Sequence, residues 1–341
     1  MATTMRTADL ELVEPGPGTQ RVAVLDAPGR IRVAHAAIPE PGLGQIRVKI
    51  AYVGVCGSDI ETYRGHRAPE FVSFPARLGH EVAGVIDKVG PGVQGIRAGD
   101  RVTCRYVWGA FAEYIVCLPM NVMVVPPQIP MEEVSLLEVL PGILNAVERA
   151  AIGPSTTVLV TGQGVSGLVL TQVLRLYSPK VLAVTDLRDR NLELARAYGA
   201  THTYKLDSAR AATRSRTHGD FRDGFDVVIP CLLDGEGMID AVDACAFGGR
   251  IVMYGCIGPC HEPFDFFRIH RKRLDILSTE PRRDVDMRRL FHEGVRLMCD
   301  GLIDTHSMIT HIVPLTEIDR AFALRDGKSE DAIHVLVNCE A

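Results

Sequence analysis

The sequence predicts an α/β chain in which a β-rich domain is interrupted by an inserted doubly wound parallel-sheet domain. Three observations carry this expectation. At 341 residues the chain is too long for one ordinary core and fits two domains. The first third consists of short β-branched segments punctuated by Gly and Pro, the texture of antiparallel sheet. From Thr156 onward, continuous apolar strands alternate with helical spacing, which implies a parallel sheet covered on both faces. After about residue 285 the pattern turns helical and then returns to strands. The expected layout is a loose N-terminal arm over 1–20, a β-rich domain formed by 21–150 and 286–341, and an α/β domain over 151–285.

The elements follow in order. RVAVLDAP, RIRVAHA and QIRVKIAYVGV alternate or run apolar and are read as strands, continued by EVAGVIDKVG, AFAEYIVC and NVMVVP. The period changes at Met131, where EEVSLLEV and, past the Pro141-Gly142 break, ILNAVERAA take helical spacing. TTVLVTG is a buried strand, GLVLTQVLRLY a helix, VLAVTD a strand and RNLELARAYG a helix closed by Gly199. DVVIPC, a helix over Gly237 to Phe247, RIVMYGC and LDILST continue the alternation. The chain ends with MRRLFHEGVRLMCDG as a helix, HIVPL, the helix LTEIDRAFALRDG, and the strand AIHVLVN.

Bulk properties exclude several classes of function. A formal charge of −5 gives no electrostatic case for nucleic acid or a membrane surface. The run Arg268 to Arg273 (RIHRKR) is short and isolated, and reads as a solvated helix end or strand edge. No stretch reaches the ~18 apolar residues of a membrane span. The N-terminus lacks the apolar middle of a secretory signal. Nine scattered cysteines suggest reduced thiols and a cytoplasmic setting.

Two constellations carry chemistry. In TTVLVTGQGVSG a strand runs into Gly162-x-Gly164-x-x-Gly167 and then a helix. The first glycine permits the turn, the second a close approach of pyrophosphate to the backbone, and the third tight helix–strand packing, with Val165 and Ser166 opening the helix. About 20 positions on, Asp186 ends the next strand, where its carboxylate can accept from adenosine ribose hydroxyls and repel a 2′-phosphate, favouring NAD over NADP. Arg188 and Arg190 pull the other way, since arginine there can hold that phosphate. The second constellation begins with Cys56 after a strand, followed 24 residues later by His80-Glu81. A thiolate, an imidazole and a carboxylate are ligand types that a catalytic zinc accepts. Glu138 sits in the apolar run SLLEVL, where it is either a buried carboxylate with a task or a helix residue facing water.

Gly79-His80-Glu81-x-x-Gly84-x5-Gly90-x-x-Val93 resembles the zinc-alcohol-dehydrogenase signature of the medium-chain dehydrogenase/reductase superfamily, and VGVCGSD, AGDRV, GAFAEY and VTGQGVSGL resemble its other landmarks in the same order. The similarity runs from about residue 22 to the end and is closest to the sorbitol (polyol) and threonine dehydrogenase branch. It implies a GroES-like catalytic domain with an inserted Rossmann domain, zinc and nicotinamide meeting in the cleft, and a homodimer or homotetramer. It also implies Cys56 and His80 as zinc ligands, Glu81 as a ligand or a nearby exchangeable carboxylate, and Glu138 as a ligand directly or through water. Ser58 matches the hydroxyl that relays the alcohol proton, and Asp59 a position that steadies the site without touching metal. Two departures stand out. Only Thr103 to Trp108 replaces the cysteine-rich lobe of the family's structural zinc, so a single catalytic zinc is expected. Glu61 stands where many relatives carry a histidine that completes the proton relay.

Other residues rank lower. Cys256, Cys260 and His261 look superficially metal-like but fall in a loop expected near the nicotinamide. Trp108 could line the substrate mouth, and His66, Arg67 and Glu70 could meet a polar substrate. The expected substrate is a polar secondary alcohol, such as a polyol, cyclitol or sugar derivative, or its ketone. A zinc-free NADPH reductase of activated double bonds and a non-catalytic binding relative are the rival expectations.

Overall fold

The computed structural model describes residues 11–67, 72–215, 223–258, 264–281, 286–328 and 331–341. The chain opens with β1 (Thr19–Ala27), β2 (Arg30–Ala37), β3 (Ile46–Gly54), α1 (Gly57–Tyr63), β4 (Glu81–Val89), β5 (Arg101–Cys104), β6 (Tyr114–Cys117), β7 (Val122–Val124) and α2 (Met131–Val134). It continues through α3 (Leu140–Ala150), β8 (Thr157–Thr161), α4 (Val165–Arg175), β9 (Val181–Asp186), α5 (Asp189–Ala197), β10 (His202–Lys205) and α6 (Leu206–Ser215). Next come β11 (Phe225–Pro230), β12 (Leu232–Leu233), α7 (Gly235–Ala244), β13 (Cys245–Met253), β14 (Cys256–Ile257), α8 (Phe266–Lys272), β15 (Asp275–Ser278) and α9 (Met287–Cys299). The last elements are β16 (Ile309–Pro314), α10 (Ile318–Ala323) and β17 (His334–Asn338).

One compact unit comprises residues 1–138 and 305–341. Its main sheet runs β16-β17-β3-β4-β5-β7, with β6 also on β3, and β1 and β2 form a separate antiparallel pair. Ile46, Val48 and Ile50 of β3, Val82 and Ile86 of β4, Phe111, Phe322 and Val335 are buried together as its core. The loose arm expected over 1–20 is only partly outside the described residues, which begin at Glu11. Leu12 bridges Ala36, the Val13 N–H donates to the His35 carbonyl at 2.9 Å, and β1 already begins at Thr19. Edge pairing with β2 therefore holds the second half of that segment.

The other unit, 139–304, is a six-stranded sheet in the order β10-β9-β8-β11-β13-β15, with all pairs parallel. Its buried apolar residues include Leu159, Ala183, Val228 and Ile251 from four adjacent strands, as continuous apolar runs require when helices cover both faces. The division at 138/139 and 304/305 differs from the expected 150 and 285, because α3 and α9 belong to this unit. Gly294 of α9 leaves room for Leu140, where a Cβ would lie 3.0 Å away. Asn145 donates to the Thr279 carbonyl at 2.6 Å and Arg250 to that of Ala150 at 2.8 Å. Periodicity shows that a helix has an apolar face, not which sheet that face covers.

Two local expectations are corrected. Pro141 falls in the first turn of α3, where its missing N–H costs no helix bond, so the helix starts at Leu140 instead of after a break. The helix expected to reach Phe247 stops at Ala244. There the Lys272 ammonium, buried, donates to the carbonyls of Val242, Asp243 and Cys245 at 2.6, 3.0 and 2.6 Å, so one member of the basic run caps a helix end and is not solvated. Among the described residues no helix is long and apolar enough to cross a membrane.

Candidate metal centre and dinucleotide turn

Residues 24 positions apart meet because of strand register. Gly54 at the end of β3 pairs with Glu81 at the start of β4, so the segments carrying Cys56 and His80 leave the same end of adjacent antiparallel strands. Gly79 makes the entry into β4 possible: its φ is +93°, and a Cβ there would lie 2.9 Å from the Phe111 ring. Asp59, buried in α1, ties the two segments together. Its Oδ2 accepts the Cys56 N–H and its Oδ1 the Gly79 N–H, both at 3.1 Å, and Oδ1 lies 3.6 Å from His80 Nδ1.

The outcome is a cluster in which one ligand atom each from Cys56, His80 and Glu81 lie within 4.8 Å of one another. Burial, reinforced by the Glu81 charge, pushes the Cys56 thiol up. Burial also raises the Glu81 carboxyl to about 7, with Glu138 and Asp59 adding to the shift against the pull of His80. Burial disfavours charge on His80, yet Asp59 and Cys56 outweigh it and hold the imidazole well above its ordinary value. Glu81 Oε2 and Ser58 Oγ are buried without hydrogen-bond partners. A thiol, an imidazole and a carboxylate with an orphaned oxygen fit a zinc ion in both ligand type and spacing.

The flanking residues fall into place around this cluster. The Trp108 ring lies against His80 with centroids 4.5 Å apart. Glu138 is not among the three clustered donors. Its Oε1 pairs with Arg105 Nη1 at 2.9 Å, the same nitrogen also donates to the Glu138 carbonyl, and both side chains are largely buried. Arg105 is a partner that sequence reasoning missed, since nothing in the order of residues couples positions 105 and 138. Glu61 pairs with Arg64 at 3.1 Å and with His66 Nδ1 at 2.9 Å. A second omission is His334 on β17, which is fully buried, has no hydrogen-bond partner on either ring nitrogen, and places Nδ1 4.0 Å from Glu81 Oε2. Burial, with the nearby Arg325 charge, pushes its pKa down to about 3. Glu70, Cys260 and His261 lie outside the described residues, as does the Cys256 side chain.

In the parallel-sheet unit, β8 ends at Thr161 and Gly162 turns the chain with φ +88°. Gly164 caps α4, whose first turn holds Val165, Ser166 and Gly167. Gly167 packs against the turn so closely that a Cβ would lie 1.9 Å from the Gly162 carbonyl oxygen. The Asp186 carboxylate at the end of β9 accepts from the Gln163 N–H at 2.6 Å, the Arg188 N–H at 2.8 Å and Asn191 Nδ2 at 3.3 Å. It thus also braces the turn. With roughly four acceptor positions on a carboxylate, about one remains for a ligand.

Comparison with known proteins agrees with this geometry. Residues 42–127 match the family model described as alcohol dehydrogenase GroES-like domain, and residues 166–292 the one described as zinc-binding dehydrogenase. A sorbitol dehydrogenase of Halalkalibacterium halodurans is 26% identical, over 91% of this chain and 96% of that protein. A zinc-binding dehydrogenase from Sinorhizobium meliloti 1021, solved with NADP, superposes with a TM-score of 0.80 at 25% identity, covering 94% of this chain and 99% of that one. An alcohol dehydrogenase from Escherichia coli CFT073, solved with NADH, gives 0.79 at 25% identity with the same coverage. Two family models matched in series, one on each unit, together with full-length relatives, place this chain in the zinc-binding alcohol dehydrogenase family of the medium-chain dehydrogenase/reductase superfamily.

Proposed function

We propose that the protein is a zinc-dependent dehydrogenase exchanging hydride between a polar secondary alcohol and NAD. The observation that carries this reading is the convergence of ligand atoms from Cys56, His80 and Glu81 within 4.8 Å, with Glu81 Oε2 buried and unpartnered. Cys56, His80 and Glu81 would hold one zinc, with Asp59, 3.6 Å from His80 Nδ1, steadying the imidazole. Zinc bound there supplies Lewis acidity that eases ionisation of an alcohol, and NAD supplies the hydride acceptor. Ser58 Oγ, without a hydrogen-bond partner, would accept a hydrogen bond from the substrate hydroxyl and relay the proton by releasing its own. Glu61, paired with the exposed His66, would be a further acceptor on the way to solvent. Glu138, held by Arg105, lies close enough to influence Glu81 and is a reserve carboxylate for the ion or a water.

The amides opening α4, from Val165 to Gly167, seat the pyrophosphate. Asp186 takes a ribose hydroxyl and repels a 2′-phosphate, while Arg188 sits at the cap of α5 nearby. Relatives acting on polyols support a polyol, cyclitol or sugar-like substrate. A homodimer or homotetramer is supported by β15, which ends the parallel sheet with one side unpaired among the described strands. The cytoplasm is the proposed compartment.

The decisive experiment is metal analysis beside a screen of NAD reduction over polyols, cyclitols and amino alcohols. One zinc per chain and activity that disappears in Cys56→Ala and His80→Ala are expected. Undiminished turnover in either folded variant, or activity without zinc, refutes the proposal.

A further inference from the structure

Glu81 and His334 lie on strands that do not touch: β4 and β17 flank β3 on opposite sides. Gly54 of β3 pairs with Glu81 on one side and Leu336 on the other, and the Val55 N–H donates to the Val335 carbonyl at 2.9 Å. The Glu81 and His334 side chains meet over Gly54. A Cβ on Gly54 would lie 2.2 Å from Glu81 Oε2, 2.5 Å from His334 Cε1 and 3.0 Å from Nε2. Any other residue at position 54 would occupy the space in which the carboxylate and the imidazole approach each other.

Both groups are incomplete as they stand. His334 is wholly buried with two unpartnered nitrogens, and Glu81 Oε2 is buried and unpartnered 4.0 Å away. A buried donor and a buried acceptor left unmade each carry a desolvation penalty that their pairing would remove. The gap is about 1 Å beyond an N–H···O bond.

We propose that His334 is a positioning residue of the metal centre: its imidazole N–H holds Glu81 Oε2 across Gly54, leaving the other carboxylate oxygen to face the ion. This rests on the zinc reading above. His334 contacts neither substrate nor cofactor in this role, and acts only through Glu81. The neutral ring supplies one N–H, which sets the carboxylate's orientation without adding a charge to the site.

The test uses full-length protein stripped of metal, with zinc affinity measured by competition against a chelating dye and cobalt(II) absorption as a report on ligand geometry. His334→Leu should weaken zinc binding about 10- to 100-fold and shift the cobalt bands, whereas His334→Gln, which keeps an N–H, should remain within about threefold of wild type. His334→Phe replaces the leucine variant if circular dichroism shows that the latter does not fold. In a Glu81→Gln background the loss caused by His334→Leu should shrink to about twofold or less, because the route through the carboxylate is already cut. Wild-type zinc affinity and cobalt spectrum in His334→Leu overturn the inference while leaving the zinc reading intact. Equal losses in the Gln and Leu variants, or an undiminished loss in the Glu81→Gln background, overturn it too. Wild-type protein that takes up no zinc overturns both.

Discussion

Gly167→Ala tests whether the glycine turn is a phosphate seat whose geometry depends on helix–strand contact. The added carbon would sit 1.9 Å from the Gly162 carbonyl oxygen, 2.9 Å from its carbon and 3.1 Å from Gln163 Nε2. An ordinary carbon–oxygen approach is about 3.3 Å, so α4 must retreat from the turn by about 1.4 Å. The nearest obstacle is backbone, which cannot swing aside as a side chain would. Overpacking of this kind costs about 1–3 kcal/mol, a fall in Tm on the order of 5 °C for a unit of this size. The same retreat withdraws the amides of Val165 and Ser166 from a bound pyrophosphate. Losing one charge-assisted hydrogen bond of about 1.5–3 kcal/mol weakens NADH binding about 10- to 100-fold. NADH fluorescence titration and calorimetric melting measure the two effects. Gly153→Ala is the control, since a Cβ there meets nothing within 4 Å and stability should move by no more than about 0.5 kcal/mol. A Gly167→Ala protein that binds NADH within twofold of wild type at an unchanged Tm would refute the reasoning.

The remaining predictions concern charge. Cys56, His80 and Glu81 all have raised pKa values, Glu81 to about 7, and must shed protons to ligate, so apparent zinc affinity should climb about tenfold or more per pH unit between about pH 6 and 8. A flat chelator-competition profile would contradict this. For metal-free protein the sign reverses. A carboxyl raised from 4.5 to about 7 contributes stability that is present below pH 4.5 and lost as pH rises through 7. Denaturant melts should therefore show wild type losing more stability than Glu81→Gln between about pH 5 and 8, and parallel curves would refute the linkage. Asp186→Ala should lower NAD affinity about tenfold and raise the NADP-to-NAD preference in steady-state kinetics, because it removes both a ribose acceptor and the brace to Gln163; an unchanged ratio argues against Asp186 as discriminator. Arg105→Met should cost about 3 kcal/mol in urea melts by leaving Glu138 largely buried without its partner, and a loss under about 0.5 kcal/mol would show that Glu138 finds another.

Legibility in the sequence followed the range of the interaction. The glycine turn could be read because strand, turn and helix are contiguous and each glycine has a local geometric task. Cys56, His80 and Glu81 could be nominated from residue type and spacing, but their meeting depends on β3–β4 register, which spacing alone does not specify. Asp59 could be placed near the site, not seen as the acceptor for two backbone N–H groups from separate loops. His334 left no signal, because β17 meets β3 only in the folded sheet and a histidine in an apolar strand reads as an ordinary buried residue. Lys272 was hidden by composition: four basic neighbours made it look solvated, whereas its ammonium closes the end of α7. The allegiance of α3 and α9 was equally invisible, being set by packing partners on a sheet that periodicity does not identify.

The pairing of β17 with β3 also bears on how the molecule is made. Leu336 bonds beside Gly54, about 280 residues earlier in the chain, and the whole parallel-sheet unit lies between them. At about 5–20 residues per second, a ribosome needs on the order of 15–60 s to deliver the missing strand. During that interval the nascent chain carries Cys56, His80 and Glu81 while Tyr52, Val53 and Gly54, the part of that β3 edge not paired with β6, stand open to mispairing or to chaperones. If Cys56, His80 and Glu81 hold a metal as proposed, its capture could precede completion of the sheet, and His334 would join the centre only after all three had been translated.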